Sequence, residues 1–259
     1  MINVRVDVTN PGEFFACCGL FELCDRLSPG CRACFTGDRT LQIVTGGDRP
    51  LPTLESVICD LHRVEFEPVA PDDPAATPLR LAAPFDVGLD WWIDQRSRGA
   101  ELKTWAGQQK VTRIAAAMQA TLLDDVVADD TLFHKSAVLY EPGSRTKTVE
   151  PFYFDARRAA QAHAVDIGFS PDTQQMEMPV YATTELLCLI GLQRFRPRVN
   201  DDRSRTYGVW SNPLPIVAAS AVAACGAVMP ATTRYRFHLL YRTKYLKGFL
   251  PSIPEGENR

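Results

Sequence analysis

VDVTNPGEFFACCGLFELCDRL, residues 6–27, decides the fold class of this chain. Its head closes an alternating run in which Ile2, Val4, Val6 and Val8 are separated by Asn3, Arg5 and Asp7, the period of a half-buried strand. Asn10, Pro11 and Glu13 then occupy the N-cap, first-turn and third positions of a capping box. The helix that follows is apolar over most of its surface, through Phe14, Phe15, Cys17, Cys18, Leu20, Phe21, Leu23, Cys24 and Leu27, and ends near Pro29-Gly30. Such a helix belongs in a core. Gly19 at its middle predicts the close approach of another backbone. The free N–H groups of Thr9-Asn10-Pro11-Gly12 would suit a phosphate, but the glycine spacing of a nucleotide loop is absent, so capping explains the turn.

Outward from this strand and helix, Arg32–Thr36 and Thr40–Val44 flank Gly37-Asp38-Arg39 and read as a hairpin. Helices are expected over about 52–62, 108–122 and 184–195, each from apolar residues at helical spacing. Strands are expected over 64–69, 137–140, 151–154 and 207–210, with a loop at 70–78. Leu214 to Val228 is apolar throughout, and its periodicity does not choose between helix and buried strand. Arg234 to Phe249 is aromatic-rich and β-like. Strands and helices do not alternate regularly, so the expected class is α+β, with mixed or antiparallel sheets and packed helices. Acidic Asp124 to Asp130 marks a boundary between an acidic subdomain at 1–130 and a basic one at 131–259.

The charge is unevenly spread. Residues 1–133 carry 12 Lys and Arg against 20 Asp and Glu, and residues 134–259 carry 16 against 11. Between Gly191 and Lys247, 10 basic residues face only Asp201 and Asp202, an asymmetry expected of a chain with a polyanionic partner. No run approaches the roughly 18–20 apolar residues of a membrane span, and no basic-then-apolar signal opens the sequence. A cytoplasmic protein is expected, with no membrane partner. Eight cysteines fit that compartment as reduced thiols. Cys31 and Cys34 have CxxC spacing without a second ligand pair, so packing is the expectation and zinc the alternative.

Nucleotide-loop, zinc-protease and nucleophile-elbow motifs are all missing, and His62, His134, His163 and His238 are scattered. No catalytic residue, metal or cofactor is assigned. Asp129-Asp130 and Asp201-Asp202 read as solvated turns. The positive signal is cationic. Arg194, Arg196 and Arg198 alternate, so in an extended segment they share one side. Arg203 and Arg205 follow, and Arg234, Arg236, Arg242, Lys244 and Lys247 interleave with Tyr235, Phe237, Tyr241 and Tyr245. Arginine forks reach phosphate oxygens, and flat rings stack on unpaired bases. The alternative is a sheet with its aromatics in the core and its arginines in water. Lys103 and Gln108 beside Trp105 form a second candidate contact, with Trp105 as a core anchor the competing reading. Arg157 and Arg158 form a third, one of them available to pair with Asp155.

Several blocks together resemble one family: VDVTNPGEFFACCGLFELCDRL (6–27), LDWW (89–92), LKTWAGQQ (102–109), EPFYFDARR (150–158), DIGFSPD (166–172) and ELLCLIGLQRFRP (185–197). They are similar to the Csb-three family of type I-U (also called I-G) CRISPR systems. The resemblance implies antiviral defence within a Cascade-type complex, in which a guide RNA pairs with invading DNA. Its partners would be guide RNA, target DNA and other effector subunits, and members have been regarded as equivalents of the Cascade large subunit. It transfers no functional residue; those named above rest on charge and spacing. The expected function is therefore a non-catalytic surveillance-complex subunit that contacts guide RNA or target DNA. The alternatives are a metal-independent guide-RNA nuclease using His134 or His163 near Arg157 and Arg158, and a purely architectural subunit.

Overall fold

The computed structural model describes residues 1–37, 39–47, 49–69, 77–105, 109–122, 131–157, 179–227, 229–242 and 245–256, with only the backbone of Arg242, Tyr245 and Lys247. The fold is α+β with antiparallel sheets. The opening strand β1 (Ile2–Arg5) is shorter than its alternation, though the Val6 N–H still donates to the Arg39 carbonyl. Helix α1 (Pro11–Leu27) starts as its sequence demands, with the Asn10 side chain accepting from the Gly12 N–H. The capping box closes differently from expectation. Glu13 accepts the N–H of Asp7 at 2.7 Å, three residues before the cap.

The expected hairpin forms from β2 (Arg32–Thr36) and β3 (Thr40–Val44), and β1 pairs with its far strand. Helix α2 (Leu54–Arg63) turns Leu54, Val57, Ile58 and Leu61 inward, with Thr53 as its N-cap. Strands β4 (Phe66–Pro68), β5 (Leu79–Leu81) and β6 (Val87–Leu89) form a small sheet. Helix α3 (Val111–Gln119) starts later than its amphipathic pattern. Helix α4 (Ala182–Gly191) stops short of Phe195 because the next residues turn, Arg194 and Phe195 both donating to the Gly191 carbonyl. Then come β7 (Arg198–Val199), β8 (Arg205–Trp210), β9 (Leu214–Pro215) and helix α5 (Ile216–Ala223). The ambiguous apolar run is thus two residues of strand followed by helix. The last strands are β10 (Thr232–Phe237), β11 (Leu239–Arg242), β12 (Tyr245–Phe249) and β13 (Ile253–Pro254).

Contacts cross the boundary expected at residue 130. β9 joins the first sheet, giving the order β1-β3-β2-β9, while β13-β10-β8-β7 form a second. α1 and α4 pack so closely that a Cβ on Gly19 would lie 2.0 Å from the Leu187 carbonyl oxygen, and one on Gly191 would lie 2.0 Å from that of Phe15. Glycine is required at both positions for this separation. Phe14 stacks on Tyr207 with ring centroids 4.3 Å apart, and the Trp210 indole donates to the Ala33 carbonyl at 2.7 Å. One hydrophobic core therefore draws on both halves. Among the described residues, no helix is long and apolar enough to cross a membrane.

Candidate nucleic-acid interface

The arginines of this protein fall into two groups, one paired within the fold and one at its surface. The first begins at the start of α1. Asp155 is fully buried and accepts from the Asn10 side-chain amide at 2.9 Å, while Asn10 in turn accepts the N–H of Ala156. Buried Glu185 of α4 accepts the N–H groups of Phe154 and Asp155 at 3.0 Å each. Arg157 closes the cluster with three hydrogen bonds to the Asp155 carboxylate and one to the Phe133 carbonyl; its Nη1 lies 3.3 Å from Glu13, and its guanidinium stacks over the Tyr181 ring. Burial pushes the Glu13 carboxyl up to about 7, against the pull of the Asp7 N–H and Arg157. Burial alone would lower Arg157, but Asp155, with Glu13 and Tyr181 beside it, reverses this and keeps the guanidinium charged. Asn10 Nδ2 and Arg157 Nε and Nη2 all donate to acceptors of the same chain. The cluster is a brace between α1, α4 and the 151–157 segment.

The arginines at 194, 196 and 198 alternate with buried Phe195 and Pro197, so the three keep to the outer side of the segment, yet carboxylates of the fold take up two of them. Arg194 bonds to Glu22 of α1 at 2.5 Å, and Glu22, 3% exposed, also takes Arg26 at 2.9 Å. Burial would raise the Glu22 carboxyl, but the two guanidiniums hold it below its ordinary value. Arg196 bonds to Asp94 at 2.8 Å and to the Ser97 hydroxyl. Arg198 is exposed and donates to Asn200 at 3.3 Å. Arg205 is 1% exposed, ion-paired to Glu101, and burial holds its guanidinium below the usual arginine range. Three of the expected phosphate contacts are thus spent on carboxylates of the same fold.

The second sheet sorts the rest. Arg198 faces Thr206 across β7 and β8, and Thr206 faces Arg236 across β8 and β10. Directly opposed residues share a face, as do alternate residues of one strand, so Arg198, Arg234 and Arg236 look outward together. Tyr235, Phe237 and Tyr207 point the other way. The Tyr207 ring meets Tyr235 at 5.8 Å and Phe237 at 5.9 Å, inside the core. The expected interleaving of cations with base-stacking rings is therefore divided between opposite faces of one sheet. On the outer face, Arg236 lies 3.4 Å from Glu255 and 3.8 Å from Asp202. Arg203 is exposed, at the left-handed residue (φ 64°) of the tight turn between β7 and β8. Among the described residues, Arg198, Arg203 and Arg234 have no carboxylate partner.

The remaining candidates are quickly placed. Trp105 is 2% exposed and packs against Trp91, Trp92 and Phe152, so it is the core anchor, and Lys103 stands 5.7 Å over its ring. Only the backbone of Arg242 is described, in β11; Gln108, Arg158, His163 and Lys244 lie outside the described residues. His134 is exposed, and His62 contacts the Gln119 carbonyl through Nδ1. Cys31 and Cys34 are buried thiols, with the Cys31 sulfur 3.8 Å from Asp25, and no described group of His, Cys, Asp and Glu is arranged to hold a metal.

Sequence reasoning missed the Asn10–Glu13–Asp155–Glu185 cluster because its members are up to 175 residues apart in the chain. The local signals were the Asn10–Glu13 capping pair and Asp155 ahead of Arg157. Set against protein-family models, curated proteins and solved structures, the chain matches none of them.

Proposed function

We propose that this chain is a non-catalytic subunit of a type I CRISPR RNA-guided surveillance complex, touching guide RNA or target DNA through the β7–β8 hairpin. Family likeness in the sequence blocks supports the assignment to such a complex. The observation that carries the contact is the hairpin, whose Arg198 and Arg203 are exposed and without carboxylate partners among the described residues. Two such cations beside Asp201 and Asp202 make a weak site by themselves. Each neutralised phosphate contributes about 0.9 to the logarithmic salt slope on duplex DNA, and about 0.7 on a single strand. The hairpin therefore supplies a slope of about 2, far below that of a free-standing DNA-binding protein. Such a contact acts as one element of a larger assembly, where guide pairing reads sequence and protein holds backbone.

The test compares wild type with an Arg198→Ala/Arg203→Ala variant in the reconstituted effector complex, following target-DNA affinity across a salt series. A slope reduced by about 2 is expected. An unchanged slope, with no crosslink from the hairpin to either nucleic acid, would overturn the contact. A second reading, a purely architectural subunit, is favoured by the self-pairing of Arg157, Arg194, Arg196, Arg205 and Arg236. Crosslinks from the hairpin to protein alone would support it.

A further inference from the structure

Where α5 ends, Val222, Ala227 and Met229 wall a cleft of about 520 Å³ whose other side is Thr232, Thr233, Arg234, Glu255 and Gly256. The two charges in this cleft are not equivalent. Glu255 is occupied, accepting from the Thr206 hydroxyl at 2.8 Å and from Arg236. Arg234 has no carboxylate partner among the described residues. The hydroxyl of Thr232, in the same wall, is buried without a hydrogen-bond partner. Beside the cleft, α5 turns an uncharged face to solvent. Val217 is 68% exposed, and Ser220, Ala221 and Ala224, at the helical spacing that continues its stripe, are partly exposed. No charged residue occurs between Thr206 and Thr233.

Within the lining of the cleft a polyphosphate would find a single cation, Arg234, next to the Glu255 carboxylate, with Arg198 and Arg236 farther along the same face of the sheet. An amphipathic ligand finds both of its halves matched. Burying an apolar side chain against Ala227 and Met229, which are still partly exposed, removes apolar surface from water, and a carboxylate meets the planar donor fork of Arg234. The uncharged face of α5 continues beyond the cleft, so the occupant runs on across it and is internal to its own chain. We propose that this cleft docks a partner-protein segment in which an apolar residue stands next to an Asp or Glu, the carboxylate on Arg234 and the side chain against Met229. This assignment does not rest on the nucleic-acid reading, which concerns Arg198 and Arg203.

The experiment uses the full chain with ¹³C-methyl methionine, the Met229 resonance being assigned through Met229→Leu. The probes are two acetylated and amidated six-residue peptides, Ala-Ala-Leu-Glu-Ala-Ala and the same peptide with Gln for Glu. Saturable movement of the Met229 methyl by the Glu peptide is expected, at least tenfold weaker with the Gln peptide. Arg234→Gln should abolish the difference, and Arg234→Lys should keep part of it. No movement at millimolar Glu peptide, or equal movement by both peptides, would overturn the proposal. So would preferential binding of a six-nucleotide oligothymidylate, which assigns the cleft to nucleic acid, or of a Leu-terminated peptide acid, which assigns it to a chain end.

Discussion

The seam between α1 and α4 and the outer face of the β7-β8-β10-β13 sheet use the same residue types to opposite ends. At the seam, Arg157 and Arg194 are fixed by carboxylates that are 1–3% exposed, and two glycines bring the helix backbones into contact. On the sheet and its hairpin turn, Arg198 and Arg203 are exposed and Arg234 is half-buried, all three without such partners among the described residues. The difference shows that arginine density along the chain measures neither binding nor structure. A guanidinium next to a desolvated carboxylate is part of the fold, because leaving either charge alone in the interior is costly. A guanidinium at a solvated edge contributes almost nothing to stability and remains available to a partner.

The sharpest way to break this comparison is at the helix seam. Gly19→Ala or Gly191→Ala forces a Cβ into a carbonyl oxygen and should cost about 3 kcal/mol or more, at the upper end of overpacking penalties. Chemical denaturation would show a large fall in midpoint, or no folded protein. Next is Asp155→Ala, which strips Arg157 and Asn10 of their shared acceptor. It should cost roughly 3 kcal/mol, whereas Asp202→Ala in the β7–β8 turn, which loses its bonds from the Ser204 N–H and hydroxyl, should cost about 1 kcal/mol.

Proton linkage sharpens the contrast further. Folded Glu13 keeps its proton up to about pH 7, while the unfolded chain releases it near 4.5. Between those values the native state binds more protons, so stability falls as pH rises through the window. The fall is at most about 3 kcal/mol, at roughly 1.4 kcal/mol for each unit. In Glu13→Gln, denaturation midpoints measured from pH 4 to 8 should lose this component, and an unaltered slope would move the titration to another group. The smallest effect belongs to the sheet. Arg198→Ala/Arg203→Ala should leave stability within about 0.5 kcal/mol, while Arg194→Ala should lower it measurably. A triple replacement at 194, 196 and 198 would therefore mix loss of fold with loss of contact.

Legibility followed the distance over which each interaction acts. The Asn10 cap, the β2–β3 hairpin, the inward stripe of α2 and the need for a close neighbour at Gly19 are local facts, and each was readable from a few adjacent residues. Arg194, Arg196 and Arg198 do alternate with buried Phe195 and Pro197, but spacing along the chain says nothing of the distant carboxylates that pair with two of them. The alternation of Arg and aromatics in β10 left two readings open, base-stacking rings among cations or a sheet with its aromatics in the core, and the packing of Tyr235 and Phe237 on Tyr207 is that of the second.

The sequence by itself determined an α+β chain, a buried first helix and a cationic last third, because hydrophobic period and capping act within a few residues. Folding alone settles that α4 is the neighbour of Gly19, that Glu22, Asp94 and Glu101 take Arg194, Arg196 and Arg205, and that Arg198, Arg234 and Arg236 share one face of a sheet. Charge pairing depends on distance through space and on the water excluded around the pair. Neither quantity exists until the chain has folded.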